Sequence, residues 1–186
     1  MESYKAKKLP FEYAIDKDML ILVAEANAKY GEYKSLLETL EFDSSYFLES
    51  VLLKESYKST QIEGTQITQE ELYYLKYMKK SDDSKEIENL KNAIEYAKKE
   101  LKNGKKIDYQ LVNEMHKLIL DSVRGSHKSP GQIRTTQNWI GPRGCTIENA
   151  TFVPPRPEEI YSLLENLYQY MNDRFEDPYL INIALS

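Results

Sequence analysis

Ser59-Thr60-Gln61-Ile62-Glu63-Gly64 is the stretch on which the reading of the chain turns. Upstream of it, Asp43 can cap a helix in which Phe47, Val51 and Leu52 form an apolar stripe. Glu49, Lys54, Glu55 and Lys58 fall elsewhere on its surface. Gly64 follows this pattern directly and is the residue type that takes the left-handed conformation closing a helix. Glu63 therefore falls on the last turn, where the helix dipole favours cations over carboxylates. Ser59 stands four residues earlier, on the same face. By spacing alone, this is equally a helix terminus with a solvated glutamate.

Working outward, the 186 residues suffice for one domain or two small ones, and for a buried core. A net charge of −5 leaves no electrostatic footprint for nucleic acid or an anionic membrane surface. The single cysteine, Cys145, excludes an internal disulfide and fits a reducing compartment. No apolar core of a secretory signal follows Met1, and no apolar run approaches membrane-spanning length. A cytoplasmic protein without nucleic-acid or membrane partners is the expectation. The 15 tyrosines recur among apolar positions, as amphipathic helix-face residues do.

In chain order, residues 1–16 read as an extended arm with Pro10, Phe11 and Tyr13. Asp16 can cap a helix carrying Met19, Leu22, Val23, Ala26 and Tyr30. Leu36, Leu37 and Leu40 continue the stripe past Gly31. After the organising helix, Thr68-Gln69-Glu70-Glu71 is a capping box opening a helix with Leu72 and Leu75. The polar run 79–85 is the clearest break. Ile87, Leu90, Ile94, Ala97 and Leu101 mark the next helix, stopped by Asn103-Gly104. Asp108 caps an amphipathic helix with Leu111, Val112, Met115, Leu118 and Ile119. His116 beside that stripe reads as a packed, hydrogen-bonded residue, and His127 as a loop residue. Neither has the spacing of a transition-metal site.

Between Gly125 and Pro157 the helical period is lost. Asn138-Trp139-Ile140 and Thr151-Phe152-Val153 are short apolar runs whose separation suits a hairpin with a long loop, Pro142 to Asn149. An irregular surface loop meets the same pattern. Pro157-Glu158-Glu159 then opens a helix carrying Ile160, Leu163, Leu164, Leu167 and Met171. Asp177-Pro178 starts a last helix, apolar nearly all round, as a buried central helix would be. Gly-rich phosphate loops, nucleophile elbows and dinucleotide fingerprints are not found.

Ser59-x-x-x-Glu63-Gly64-Thr65 resembles the inhibitory-helix motif of the Fic family, enzymes that move AMP from ATP to a hydroxyl on a target protein. A second match follows at a distance: Arg124-Gly125, the run from Pro130 to Gly141, and Ala150 to Pro155. It is similar to the Fic segment that contains the target-binding flap. The resemblance covers the chain from about Leu9 onward. It implies a mostly α, Fic-like helical bundle with one β-hairpin. Residues 1–80 would be a regulatory region with the inhibitory helix, and 81–186 the first part of the Fic core.

The histidine-containing Fic motif, H-x-F-x-(D/E)-G-N-G-R-x-x-R, is not in these residues. The expectation is therefore the N-terminal part of a self-inhibited adenylyltransferase, with no catalytic residue, no metal site and no cofactor of its own. Alone it should be inactive, with an open apolar face near its end that favours self-association. The parent would use ATP, and Mg²⁺ with it. By the resemblance, Glu63 pairs with the last arginine of the motif and keeps the γ-phosphate from its productive place. Ser59 orients Glu63 or steadies the helix end. Trp139, Ile140, Gly141, Thr151, Phe152 and Val153 form the flap that docks a protein substrate by strand addition. A stand-alone module acting in trans, and a parent that also removes AMP with Glu63 positioning water, remain alternatives.

Overall fold

A computed structural model describes residues 2–185 apart from 42, 63, 65, 69, 72–73, 75–80 and 174–178. The described residues form six α-helices. They are α1 (Lys17–Glu38), α2 (Ser44–Ile62), α3 (Asp82–Lys102), α4 (Tyr109–Ile119), α5 (Pro157–Asn172) and α6 (Tyr179–Leu185). A 3₁₀ turn, Ile147–Asn149, lies between α4 and α5. They fall into two compact units. One comprises Met1–Ala24, Ile107–Tyr109 and Gln132–Ser186, the other Glu25–Lys106 and Gln110–Gly131. These packing units cut across the division by role expected at residues 80 and 81.

In the second unit, α2 starts where Asp43 caps it, with the Ser45 N–H donating to Asp43 Oδ1 at 2.9 Å. The buried face of α2 is not the expected Phe47–Val51 stripe, since both residues are exposed. It is formed by Ser56, Tyr57 and Thr60, with Leu53 packed alongside. Tyr57 explains the choice. Its ring joins Ile67 and Ile87 in the core, and its hydroxyl finds a buried acceptor, Ile67 O, at 3.1 Å. An aromatic body with a satisfied polar tip can be buried at little polar cost.

α3 packs on α2 and buries Ile87, Asn89, Ala93 and Ala97. It begins inside the polar run expected to be a break. Ser81 and Ser84 cap one another's backbone N–H groups, and Asp82 and Asp83 sit at the positive end of the dipole. Its C-terminus falls at Asn103 and Gly104, where the sequence placed it, with Gly104 at φ +86°. Asn89 reaches the end of α4. Its amide donates to the carbonyls of Ile119 and Asp121 at 3.2 and 2.9 Å, groups that the helix end leaves unpaired. The Thr68–Glu71 capping box forms, with Thr68 N–H to Glu71 Oε2 at 2.7 Å and Glu71 N–H to Thr68 Oγ1 at 3.2 Å. Leu72 and Leu75 lie outside the described residues.

In the first unit, two asparagines of α5 take the place of a paired backbone. Asn166 accepts from the Leu9 N–H and donates to the Leu9 carbonyl, both at 2.8 Å. Asn172 does the same for Ile107, at 2.9 and 2.6 Å. The extended arm and the start of α4 thereby satisfy backbone groups that have no ladder. Tyr109 stacks on Tyr161, with ring centroids 5.3 Å apart and planes 4° from parallel. α5 opens on Pro157 as expected, and Glu159 accepts from the Arg156 N–H at 3.0 Å. α6 is not buried all round. Ile181 is buried, whereas Tyr179 and Ile183 are exposed. Its expected start at Asp177-Pro178 lies outside the described residues. α1 contains no buried residue, although Gly31 sits within it without breaking it.

Candidate functional site

The last turn of α2 carries the motif. Thr60 is buried and donates to the Tyr57 carbonyl at 3.1 Å. Gln61 Nε2 donates to the Tyr57 hydroxyl at 2.7 Å, so one phenol holds both the turn and the segment at Ile67. Gly64 takes φ +96°, and its N–H donates to Gln61 O at 3.1 Å, which ends the helix as read from the sequence. Ser59 is half-buried. Glu63 and Thr65 lie outside the described residues.

Beside this turn is a cavity of about 750 Å³. Ser59 and Thr60 of α2, Glu86 and Leu90 of α3 and His116 of α4 form part of its wall. Ile119, the last residue of α4, and Leu120, Val123, Arg124 and Lys128 of the stretch after it complete most of the rest. His116 is held as a packed residue, its Nδ1 accepting from the Gly131 N–H at 3.0 Å. A neutral imidazole with Nδ1 as acceptor carries its proton on Nε2. Gly131 is needed for this approach. At φ +73°, a Cβ there would stand 2.6 Å from Lys117 and 3.0 Å from the Asn113 carbonyl. His127 is exposed and does not line the cavity.

Arg124 and Glu86 form the strongest charge contact of the wall. Nε donates to Oε1 and Nη2 to Oε2, each at 2.7 Å, and Asp83 stands 3.4 Å from Nη2. Hydrogen bonding to Glu86, then its charge, holds the guanidinium further above its ordinary range. Sequence reading quoted Arg124 only as part of a longer match. Its partner lies 38 residues away on another helix, where no spacing rule reaches.

The expected flap hairpin does not form as a ladder. Ile140 and Phe152 make one antiparallel bridge, with N–H to O distances of 2.8 and 3.0 Å in the two directions, and no strand is present among the described residues. The reason is local. In an antiparallel ladder the next hydrogen-bonded pairs would be 138 with 154 and 142 with 150. Pro154 and Pro142 occupy one place in each and have no N–H to donate. Side chains take over the stitching. Gln137 Nε2 donates to Pro154 O at 3.1 Å, Arg134 to Pro155 O, and Trp139 Nε1 to Cys145 O at 3.1 Å.

Of the six flap residues, Ile140 is exposed at 65% and Trp139 at 42%, while Val153 is buried and its carbonyl accepts from the Tyr4 N–H. Thr151 donates its N–H to the Ile140 carbonyl at 2.8 Å. Gly141 leaves no room for a side chain, since a Cβ there would meet Cys145 Sγ at 2.6 Å. Among the described residues, no group of three or more His, Cys, Asp or Glu side chains is placed to hold a metal ion. No described helix is long and apolar enough to cross a membrane.

A family model described as Fic/DOC family N-terminal matches residues 20–99, which takes in most of α1, α2, the motif turn and most of α3. The chain carries a Fic-family N-terminal region. A comparison with curated proteins gives no match.

Proposed function

We propose that the chain is the regulatory and target-docking N-terminal part of a self-inhibited Fic protein, one that transfers AMP from ATP to a hydroxyl side chain of a target protein. The observation that carries the reading is the position of Ser59-x-x-x-Glu63-Gly64. It lies inside the segment matched to the family, at a helix end that Gly64 closes in the left-handed conformation. In the reaction, the target oxygen attacks the α-phosphorus of ATP, the bond to pyrophosphate breaks, and the hydroxyl proton passes to the histidine of a Fic motif. ATP is held by that motif, and Mg²⁺ with it. Glu63 acts as the gate by pairing with the arginine that otherwise holds the γ-phosphate. A difference of about 3 kcal/mol in that contact changes productive binding roughly a hundredfold. Trp139, Ile140 and Phe152, the exposed large apolar residues of the flap segment, offer apolar contacts to an extended target segment.

The test is Glu63→Gly in a protein that carries this region together with a Fic motif. Incorporation of labelled AMP into target, or into the enzyme itself, should rise. Equal or lower incorporation, with ATP binding unchanged, would refute Glu63 as the gate.

A further inference from the structure

We infer that the outer edge of the flap segment at Val153 is a docking edge for an extended peptide, and that its resting occupant is the chain's own amino-terminal arm, which an incoming segment displaces. Ile140 and Phe152 exchange hydrogen bonds in both directions, so Phe152 turns its N–H and its carbonyl toward Ile140. Backbone groups alternate sides along an extended segment, and those of Val153 face away from Ile140. There the Val153 carbonyl accepts from the Tyr4 N–H at 2.7 Å. The Tyr4 ring lies against the Phe152 ring, with centroids 5.7 Å apart and planes at 47°. The arm thus sits where an added strand sits: a backbone bond gives the pairing and a side-chain contact gives the preference. What the edge selects is an aromatic side chain facing Phe152.

Two features make this occupant removable. Tyr4 is 52% exposed, and among the described residues its N–H makes the one backbone–backbone hydrogen bond that residues 2–8 send outside the arm. The base of the arm is held separately, by Asn166 on both backbone groups of Leu9. Between the two anchors Lys5, Lys7 and Lys8 are exposed, and Lys7 lies over the ring of Phe11, a residue of the arm itself. Residues 2–8 can therefore leave the edge while Leu9 stays in place. The anchor at Leu9 keeps Tyr4 at a millimolar local concentration, so that even a weak pairing fills the edge at rest. One hydrogen bond and one ring pair hold the segment by roughly tenfold, and the affinity of a partner falls by about that factor until the arm is displaced. That the partner is the adenylylation target rests on the function proposed above; the occupancy of the edge by the arm does not.

The experiment compares the isotope-labelled full chain with Tyr4→Pro, which removes the N–H and the ring at an exposed position outside any helix. The probe is the free peptide Glu2-Ser3-Tyr4-Lys5-Ala6-Lys7-Lys8. In Tyr4→Pro it should give saturable amide shifts at Ile140, Phe152 and Val153, with an affinity at least about fivefold higher than in the unsubstituted chain, whose own arm competes. The same peptide with alanine in place of its tyrosine should bind at least about threefold more weakly. In the unsubstituted chain the Tyr4 amide should exchange with solvent at least about tenfold faster than the Leu9 amide. Absence of binding to Tyr4→Pro, equal affinity for the two chains, equal affinity of the two peptides, or equal exchange at Tyr4 and Leu9 would each overturn the assignment. In a protein that joins this chain to a Fic motif, Tyr4→Pro should lower the KM for the protein target at least about threefold with kcat unchanged. An unchanged KM would overturn the arm as a competitor of the target. A joined protein that transfers no AMP refutes the adenylylation reading instead, and the peptide and exchange results still decide the arm.

Discussion

Arg124 and Glu86 meet through two parallel hydrogen bonds of 2.7 Å each, and so join the stretch after α4 to the first turns of α3. The fork of a guanidinium fits a carboxylate in a way that a single ammonium cannot. Arg124→Lys should therefore lower the thermal midpoint, by a few degrees at most because the pair is solvent-facing. Melting curves at low salt and near 1 M salt test the cause. The difference from the unsubstituted chain should narrow at high salt, where surface charges are screened. A difference of the same size at both salts would assign the loss to packing of the arginine stem instead.

Ile87 is fully buried between Tyr57 and Ile67. Ile87→Ala should cost about 2–5 kcal/mol in urea unfolding, the transfer loss plus the hole left behind. Leu22→Ala, at a position 64% exposed on α1, should cost no more than about 0.5 kcal/mol. Similar costs at the two sites would mean that the core is not centred on Ile87.

Asn172 satisfies both backbone groups of Ile107. Asn172→Ala strips a donor and an acceptor from a partly buried peptide unit, a loss of about 1–3 kcal/mol. Hydrogen exchange reports it site by site. The Ile107 amide should exchange at least about tenfold faster in the variant, while the amides of α2 keep their rates.

Tyr109 loses its proton late. Burial of its hydroxyl, reinforced by Tyr161 beside it, pushes it up to about 12. In the unfolded chain a tyrosine titrates near 10. Below about pH 10 both states keep the proton, and Tyr109 gives stability no pH dependence. Between about 10 and 12 the unfolded chain has released a proton that the folded chain retains, so stability falls as pH rises. Tyr109→Phe should flatten that part of the curve, and the difference in phenolate absorbance between the two proteins should show a single late-titrating group.

The features that sequence made legible are those set by neighbours along the chain. Asp43, the Thr68–Glu71 box, the Asn103-Gly104 stop and Pro157 all act within three or four residues, and each was found where spacing put it. The buried face of α2 is hidden from a polarity pattern because Phe47 and Val51, which are exposed, are more apolar than Ser56 and Thr60, which are buried. What decides burial there is Tyr57, whose hydroxyl needs the Ile67 carbonyl ten residues on. Two apolar runs bounded by turn residues suggest a hairpin ladder, but once Ile140 pairs with Phe152 the next hydrogen-bonded places fall to Pro154 and Pro142, which have no N–H to donate. The cavity was invisible for a different reason. Ser59, Glu86, His116 and Arg124 become neighbours only when α2, α3, α4 and the stretch after it are assembled.

The asparagine clamps of α5 also set an order of events during synthesis. Leu9 is made early, yet the side chain that satisfies its peptide group belongs to residue 166, and Ile107 likewise waits for residue 172. The unit that holds Tyr57, Ile87 and the Arg124–Glu86 pair is drawn entirely from residues up to Gly131. It can close while the chain beyond is still on the ribosome. The arm that contains Tyr4 and Leu9 has to wait until residues 153 and 166 are made before its partners exist. Contacts of such long sequence separation form slowly, and a strand-like arm left open meanwhile is the part of the nascent chain most in need of a chaperone.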